Sequence, residues 1–397
     1  MSCPPRPLSG IRVLELGQLV AGPFAGSLLA SFGAEVIKVE APDGDPIRQW
    51  RTMVDGTSVW WRTLARNKRL VSLDLRSAAG RAAVRRIIPK MDVVIENFRP
   101  GRMEQWNLSP AELEALAPGV IVCRVSGYGQ TGPDRDLPGY ASVAEARGGL
   151  RYLTGVQGGP TVRSNLSLGD SIAGLHAALG VVVALLHRLR GGDGQVVDVS
   201  LLEAMVSMME GAVTEASVGV HREPSGSTIT GVAPSGSFPC LDGEVVLGAN
   251  GETLFGRLCT AMGRPDLASD PRFCGNEARV ANREALRSSI ATWTSAQTVA
   301  EVVRKLAEAR VPAGPIQSPA QLLTDPQLQA REALWEVWVQ GKRMVLPPVG
   351  PRLATVPPRR DHPGRAHGAD TRAVLMELAG MSEAEVEQLL AAPAESR

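Results

Sequence analysis

The chain has 397 residues, 44% of them hydrophobic and 21% charged, with a formal net charge of +1. This composition is that of a globular protein of two to three domains with a large core, and the balanced charge points away from nucleic acid and anionic membrane surfaces as partners. The five cysteines (Cys3, Cys123, Cys240, Cys259, Cys274) are scattered without a CxxC pair, which predicts reduced thiols, a cytoplasmic location and no zinc site.

The first 200 residues alternate strand and helix signals. Residues 11–16 (IRVLEL) read as a strand, 23–33 (PFAGSLLASFG) as a helix stopping at glycine, and 34–40 (AEVIKVE) as a second strand. Further strands are predicted at 70–75, 92–97, 119–126 and 194–200, with helical patterns at 77–90 and 109–118 between them. Alternation of this length predicts an α/β domain built on a mostly parallel, doubly wound sheet, whose ligands bind beyond the carboxyl ends of the strands. The apolar run Ile172–Leu186 is short for a membrane span, contains His176, and predicts a buried helix. The N-terminal MSCPPRPLSG lacks the basic-then-apolar pattern of a signal peptide.

The pattern changes after residue 219. Residues 221–237 are rich in Gly, Ser, Thr and Pro and read as a linker. A strand at 243–250 and helices near 252–263, 283–293 and 297–308 predict a smaller α+β domain. The division is therefore 1–219, 220–328 and 329–397. The last part carries a hairpin at 334–347 turning at Gln340-Gly341, a proline-rich stretch, and helices at 370–379 and 382–391 that pack back on the first domain.

The glycine turn after the first strand, with Glu40 closing the second, invites a dinucleotide reading. The spacing GQLVAGPFAG is not GxGxxG, and Pro23 stands where a pyrophosphate must approach. No nicotinamide or flavin is expected, and Gly22 and Gly26 are assigned to close helix–sheet packing. The isolated histidines and the lack of HExxH or GxSxG predict neither a metal site nor a Ser-His-Asp hydrolase.

Basic groups recur at the predicted strand ends: Lys38, Lys68, Arg69, Arg76, Arg99 and Arg102, with Asn97 and Phe98 among them. Strand ends of one sheet lie near one another, so these groups could share an edge and hold a polyanion, with Phe98 against an adenine ring. Solvated surface charge accounts for them equally well. Asp170, between Gly169 and Ser171 at the mouth of the apolar helix, has two readings. It suits an N-cap; it also suits a carboxylate nucleophile, because the helix dipole favours negative charge and an apolar setting strips its hydration. Residue types alone do not separate the two.

Taken together, the segments LSGIRVLEL, VAGPFAGSLLASFGAEVIKVE, NKRLVSLDL, ENFRPGRM, VSGYGQTGPDRDLPGY, LGDSIAGLHAALGVVVALLHR, GQVVDVSLLEA and HGADT resemble the class III CoA-transferase (CaiB/BaiF) family, which also holds formyl-CoA transferases and α-methylacyl-CoA racemases. The resemblance runs through nearly the whole chain. It implies a Rossmann-like large domain with a smaller α+β domain, in a homodimer of two chains threaded as interlocked rings. It implies acyl-CoA and a carboxylic acid as substrates and Asp170 as covalent nucleophile, forming aspartyl anhydride and aspartyl-CoA thioester intermediates. Coenzyme A is expected against Val20, Ala21, Lys38, Leu73, Arg76, Asn97, Phe98, Arg99, Arg102 and Tyr140. Gly248, Ala249, Asn250 and Gly251 are expected to form a lid, and Arg163 or Arg147 to meet a distal carboxylate. The chain has Val20 where the formyl-CoA branch has glutamine, and GANGE where that branch has a glycine-only loop. GGLRYLTG, VRSNLSLGD and GANGETLF resemble instead the branch that uses succinyl-CoA with citramalate, mesaconate or itaconate. Racemases carry a histidine base where this chain has Tyr140, a poor base at neutral pH, and the common PGYD motif is PGYA here, with Ala141. An α-methylacyl-CoA racemase and a non-catalytic CoA-binding protein are the alternatives.

Overall fold

A computed structural model describes residues 5–391; Cys3 and the first residues of the N-terminal segment lie outside them. The chain divides into two compact units, one of Met1–Leu150, Ser164–Met209 and Gln329–Arg397, the other of Arg151–Arg163 and Glu210–Leu328. The expected division at 219/220 differs from this in two places: residues 151–163 and 210–219 both go with the second unit. Val156 bridges to Ser225, and Arg222 pairs with Glu210 and Glu215, which ties these stretches together.

The first unit is built on a parallel sheet. Its strands are β1 (Arg12–Glu15), β2 (Glu35–Glu40), β3 (Arg69–Ser72), β4 (Val93–Glu96), β5 (Ile121–Ser126) and β6 (Val196–Ser200). Their order is β3-β2-β1-β4-β5-β6, the doubly wound Rossmann arrangement, in which the strand order reverses between β1 and β4. Alternate residues of each strand feed opposite cores. Val13, Val36, Val93, Ile95, Ile121 and Cys123 face α1 (Ala21–Ser31) and the long α5 (Leu168–Leu189). Leu14, Ile37, Val71, Val94 and Val122 face α2 (Ala78–Ile87), α3 (Pro110–Leu116) and the two C-terminal helices, α10 (Thr371–Glu377) and α11 (Glu383–Ala391). The C-terminal segment also covers the open edge of β3. Leu70 N–H donates to the Asp370 carboxylate at 2.9 Å, and Ser72 N–H to Thr371 Oγ1 at 2.9 Å. Pairing of this kind keeps an exposed edge strand from recruiting another chain. The hairpin of β10 (Trp335–Val339) and β11 (Lys342–Leu346) turns at Gln340 and Gly341, both left-handed (φ 48° and 74°) as a two-residue primed turn requires.

The second unit has a three-stranded antiparallel sheet of β7 (Ser235–Cys240), β8 (Gly243–Gly248) and β9 (Ala313–Pro315), ordered β9-β8-β7. Helices α7 (Glu252–Ala261), α8 (Arg283–Thr294) and α9 (Val299–Glu308) close over it on a core of Phe238, Val245, Leu247, Phe255, Leu258, Ile290, Val302 and Leu306.

The reading of the apolar run as a buried helix needs correction. Helix α5 extends over 22 residues and is long and apolar enough to span a membrane by length and composition. Only one face is covered. Ala173, Ala177, Val181 and Leu185 pack on the sheet and α1, while Leu175, Leu179, Val182, Val183, Leu186 and Leu189 are exposed. Both faces are apolar in sequence, and the second is left exposed.

The covered face is set by one glycine. A Cβ on Gly174 would stand 2.8 Å from the Ala21 carbonyl oxygen and 2.9 Å from Phe24 Cδ1, so α1 and α5 approach as closely as they do because that atom is missing. Gly174→Val is expected to lower stability by about 1–3 kcal/mol through overpacking, whereas Gly256→Ala, on α7 with open space around it, gains about 0.5–1 kcal/mol from helix propensity. Urea denaturation midpoints of the two variants check both signs.

Candidate active site

The turn from β1 into α1 crosses the point where the sheet reverses direction, and three neighbouring elements hold it. The ammonium of Lys38, near the end of β2, donates to the Gly17 carbonyl at 2.8 Å. Asn97, just past β4, holds both backbone groups of the next residue: its Oδ1 accepts Gln18 N–H at 2.7 Å and its Nδ2 donates to the Gln18 carbonyl at 2.8 Å. Asp45 accepts Leu19 N–H at 3.2 Å on each carboxylate oxygen. Leu19 needs this help, since its φ of 62° is a left-handed conformation that a side chain disfavours.

Beneath the turn lies a dry cluster of charges. Lys38 stands 3.2 Å from Glu15 and 3.0 Å from Asp45. Lys68 donates to Glu15 at 2.6 Å and to the Pro23 carbonyl at 2.7 Å. Glu15, Lys38, Asp45 and Lys68 are at most 1% exposed. Glu40, at the end of β2, takes two bonds from Arg48 at 2.5 and 3.0 Å. Gly26 makes the cluster possible, because a Cβ there would fall 1.9 Å from Glu15 Oε2. Its role is thus to leave room for an ion pair, not simply to let a helix approach a sheet. Burial alone would lower the Lys38 pKa, but Asp45, Glu15 and Glu40 overcome it and hold the group above its ordinary value. For Lys68 burial prevails over the opposing pull of Glu15 and brings the ammonium down to about 8.

Next to the turn is a cleft of about 340 Å³ at the carboxyl ends of the strands. Leu73, Arg76, Phe98 and Arg102, four of the residues expected to bind coenzyme A, line it together with Gln18 and Trp106. The Phe98 ring meets Trp106 edge to face at 5.0 Å, and the Arg102 guanidinium lies 5.7 Å from the Trp106 ring centre. Phe98 N–H donates to Glu96 at 2.8 Å, and Arg124 holds Glu96 and Glu104 at 2.8 Å each. Burial raises the Glu96 pKa, with Arg124 opposing. Arg76 is forked onto Asp74 at 2.8 and 3.1 Å.

The other expected residues fall elsewhere. Lys38 is sealed in the charge cluster, its ammonium paired with Glu15 and Asp45, and Lys68 is sealed with it. Asn97 spends its amide on the turn and does not line the cleft. Val20 and Ala21 are buried at the start of α1, and Arg99 is exposed outside the cleft lining. Tyr140, 67% exposed, precedes helix α4 (Ala141–Arg147). Arg147 pairs with Asp134 at 2.7 Å and lies 4.7 Å from the Tyr128 ring centre. Gly248–Gly251 belong to the second unit and form a packed strand-to-helix turn. Ala249 is fully buried, and the buried Arg279 donates to the Asn250 carbonyl at 2.7 Å. Arg163, exposed, is in the second unit as well.

Asp170 lies in the first turn of α5, which opens at Leu168 with Ser167 as its N-cap residue. The simple N-cap reading is therefore off by three residues, although the helix dipole still attracts negative charge there. The preceding residue is anchored: Gly169 N–H donates to Glu145, a buried carboxylate on α4, at 3.3 Å. Asp170 is half-buried and is not among the residues lining the 340 Å³ cleft. Gly174, one turn further along, packs on Ala21 and Phe24, so the first turn of α1 lies against the second turn of α5. His176 is half-buried and hydrogen-bonded, with Nδ1 2.9 Å from the Ile172 carbonyl and Nε2 3.3 Å from Ser207 Oγ. Among the described residues no group of three or more His, Cys, Asp or Glu could hold a metal ion.

The sequence matches CoA-transferase family III over residues 8–371. The chain belongs to that family and is a CoA-transferase, an enzyme whose substrates are CoA thioesters. It is 46% identical over 400 residues to the succinyl-CoA–D-citramalate CoA-transferase of Chloroflexus aurantiacus, with 98% of each chain covered. The succinyl-CoA:mesaconate CoA-transferase of Haloarcula hispanica is 36% identical over 385 residues, which is 94% of this chain and 96% of that one. A crystal structure of a CaiB/BaiF family protein from Brucella suis matches with a TM-score of 0.84 at 32% identity, covering 94% of this chain and 99% of that one.

The Lys68 geometry has a consequence for pH. An unfolded lysine keeps its proton to about pH 10.4, whereas burial brings folded Lys68 to about 8. Between these values the unfolded chain binds the additional proton, so the Lys68 contribution to stability grows as pH rises. Wild type should therefore gain unfolding free energy relative to Lys68→Met between about pH 8 and pH 10. Paired urea titrations measure the difference, and a constant or shrinking gap is the opposite result.

Proposed function

We propose that this CoA-transferase moves coenzyme A from succinyl-CoA to a small dicarboxylic acid of the citramalate, mesaconate or itaconate kind, using Asp170 as a covalent relay. The observation that carries the substrate reading is the 46% identity, over 98% of both chains, to an enzyme named for succinyl-CoA and D-citramalate. The cleft at the strand reversal supports it, since doubly wound sheets bind nucleotide-like ligands there. Arg76 and Arg102 supply donors for phosphate, and Phe98 and Trp106 supply an aromatic wall.

The chemistry needs one oxygen nucleophile and no proton transfer. An Asp170 carboxylate oxygen attacks the succinyl-CoA carbonyl, the C–S bond breaks, and CoA leaves as a thiolate. The mixed anhydride formed is attacked by that thiolate at the Asp170 carbonyl carbon, which releases succinate and leaves an aspartyl-CoA thioester. The acceptor carboxylate displaces the thiolate to make a second anhydride. Thiolate attack on the acceptor's carbonyl then yields the new thioester and returns Asp170 as a carboxylate. Water must be kept out, because it would hydrolyse either acylated form. Racemisation at an α-carbon wants a base near neutral pKa. Tyr140, at the position of the racemase histidine, is poorly suited to that task.

We further infer a homodimer. The uncovered row Leu175, Leu179, Val182, Val183, Leu186 and Leu189 on α5 forms a long apolar strip of the kind a second chain covers, in keeping with an interlocked pair. The free thiols Cys123, Cys240, Cys259 and Cys274 suit a reducing cytoplasm.

The test is a trapped intermediate. Incubation with succinyl-CoA followed by hydroxylamine or borohydride should modify Asp170, as read by peptide mass spectrometry. Asp170→Asn should lower kcat by at least about a thousandfold, as loss of a covalent nucleophile does, with an unchanged circular dichroism spectrum. Wild-type-like turnover in that variant, or an adduct elsewhere, contradicts the reading. α-Hydrogen exchange without any adduct supports the racemase instead.

A further inference from the structure

A second cleft of the first unit lies at the other end of the sheet from the one lined by Phe98 and Arg102. Its walls include Ser31 and Arg66, which precede the amino ends of β2 and β3, and the proline-rich segment that follows β11. It measures about 440 Å³, within the size range of small-molecule sites. Five arginines line it, Arg66, Arg331, Arg352, Arg359 and Arg360, against the single acid Glu332.

The hydrogen bonding of three of these arginines leaves their charge uncompensated. Arg66 donates to the carbonyls of Thr63 and Pro347 at 2.7 Å each, Arg352 to that of Arg331 at 2.6 Å, and Arg360 to that of Glu332 at 2.6 Å. Carbonyls satisfy the donors and bring no negative charge. Of the five, Arg359 has a carboxylate partner, Asp361 at 2.5 Å. Arg66 is only 4% exposed. Burial, and then the like charge of Arg360, pull its pKa down to about 10. A buried guanidinium facing another cation is costly unless something negative joins it, and the planar fork of arginine matches carboxylate and phosphate oxygens two at a time.

We propose that this arginine cleft binds a compact anion of two or more charges bearing phosphate or carboxylate groups, at a site apart from the one lined by Phe98 and Arg102. Anion charge would balance Arg66 and Arg360, and its oxygens would reach the guanidinium edges that the carbonyls leave open. Binding there would also fasten the proline-rich segment to the sheet, since Arg66 and Arg352 already anchor it at Pro347 and Arg331.

The test is thermal unfolding of the full-length protein with pyrophosphate or citrate as probes, at low millimolar concentration and matched ionic strength, with sodium chloride as reference. A rise in Tm of about 2 °C at roughly ten times Kd is expected for at least one probe, and which probe acts tells phosphate from carboxylate. The rise should vanish in Arg352→Gln/Arg360→Gln and persist in Arg76→Gln/Arg102→Gln. If the first double variant does not fold, Arg331→Gln, an exposed side chain of the cleft, should weaken the effect at least fivefold in probe concentration. The proposal is overturned if neither probe raises Tm beyond the chloride reference, if the rise is the same with and without the cleft arginines, or if it disappears in Arg76→Gln/Arg102→Gln, which would place the anion in the other cleft.

Discussion

The arrangement of the first unit depends on one buried group of charges: Glu15 held between Lys38 and Lys68, with Asp45 on the far side of Lys38. Such groups do not by themselves stabilise a fold, because removing each charge from water costs as much as the pairing returns. Their effect is on position. With two cations and two carboxylates sealed in one place, the partners can be satisfied in very few ways, and the β1–α1 turn is one of the partners. Lys38, Asn97 and Asp45 together fix the two successive peptides that join Gly17, Gln18 and Leu19. The turn fixes the start of α1, α1 seats α5 at Gly174, and α5 carries Asp170 one turn before that contact. A chain of rigid contacts therefore leads from a charge cluster to a carboxylate that does not touch it. A group that must meet an incoming carbonyl in the right geometry benefits from being held this way.

Much of this was legible in the sequence. The β-branched runs at 11–16, 34–40, 92–97 and 119–126 were read as strands within a residue or two, because parallel strands buried on both faces are nearly all apolar. The hairpin turn at Gln340-Gly341 was readable from its glycine, which accepts the left-handed backbone of a tight turn between two apolar runs. The family resemblance was legible as well, since its motifs sit in order along most of the chain. Other features were hidden. Lys38 and Glu15 look like solvated or ligand-binding charges in isolation; their mutual burial depends on Lys68, thirty residues further on, meeting them across two strands. The hold of the Asn97 amide on Gln18 is hidden too, because that partner lies about 80 residues earlier in the chain. Gly26 is a similar case, as no local pattern reveals that its missing side chain makes room for Glu15. The burial of the Ile172–Leu186 run was overread because hydrophobicity reports what a face prefers, and its covering depends on what else lies opposite.

The two clefts of the first unit contrast in a way that periodicity could not show. One joins aromatic rings with two arginines at the strand reversal. The other gathers five arginines from stretches far apart in sequence, four of them between residues 331 and 360 around Arg66, which has hardly any access to water. Arginine used to hold a backbone strap by its carbonyls keeps its full positive charge, and where several such contacts converge the strap becomes an electropositive pocket.

A covalent relay through Asp170 requires that one of its carboxylate oxygens be exchanged with the acids it serves. Supplying the acceptor acid labelled with oxygen-18 in its carboxylate, together with succinyl-CoA, allows that exchange to be read after a single turnover by mass spectrometry of the peptide containing Asp170. A relay through two anhydrides predicts one heavy oxygen on the Asp170 carboxylate, because the acceptor's attacking oxygen stays with the aspartate when the thiolate departs with the new acyl group. An unlabelled Asp170 peptide after a turnover that has formed the new thioester would contradict it.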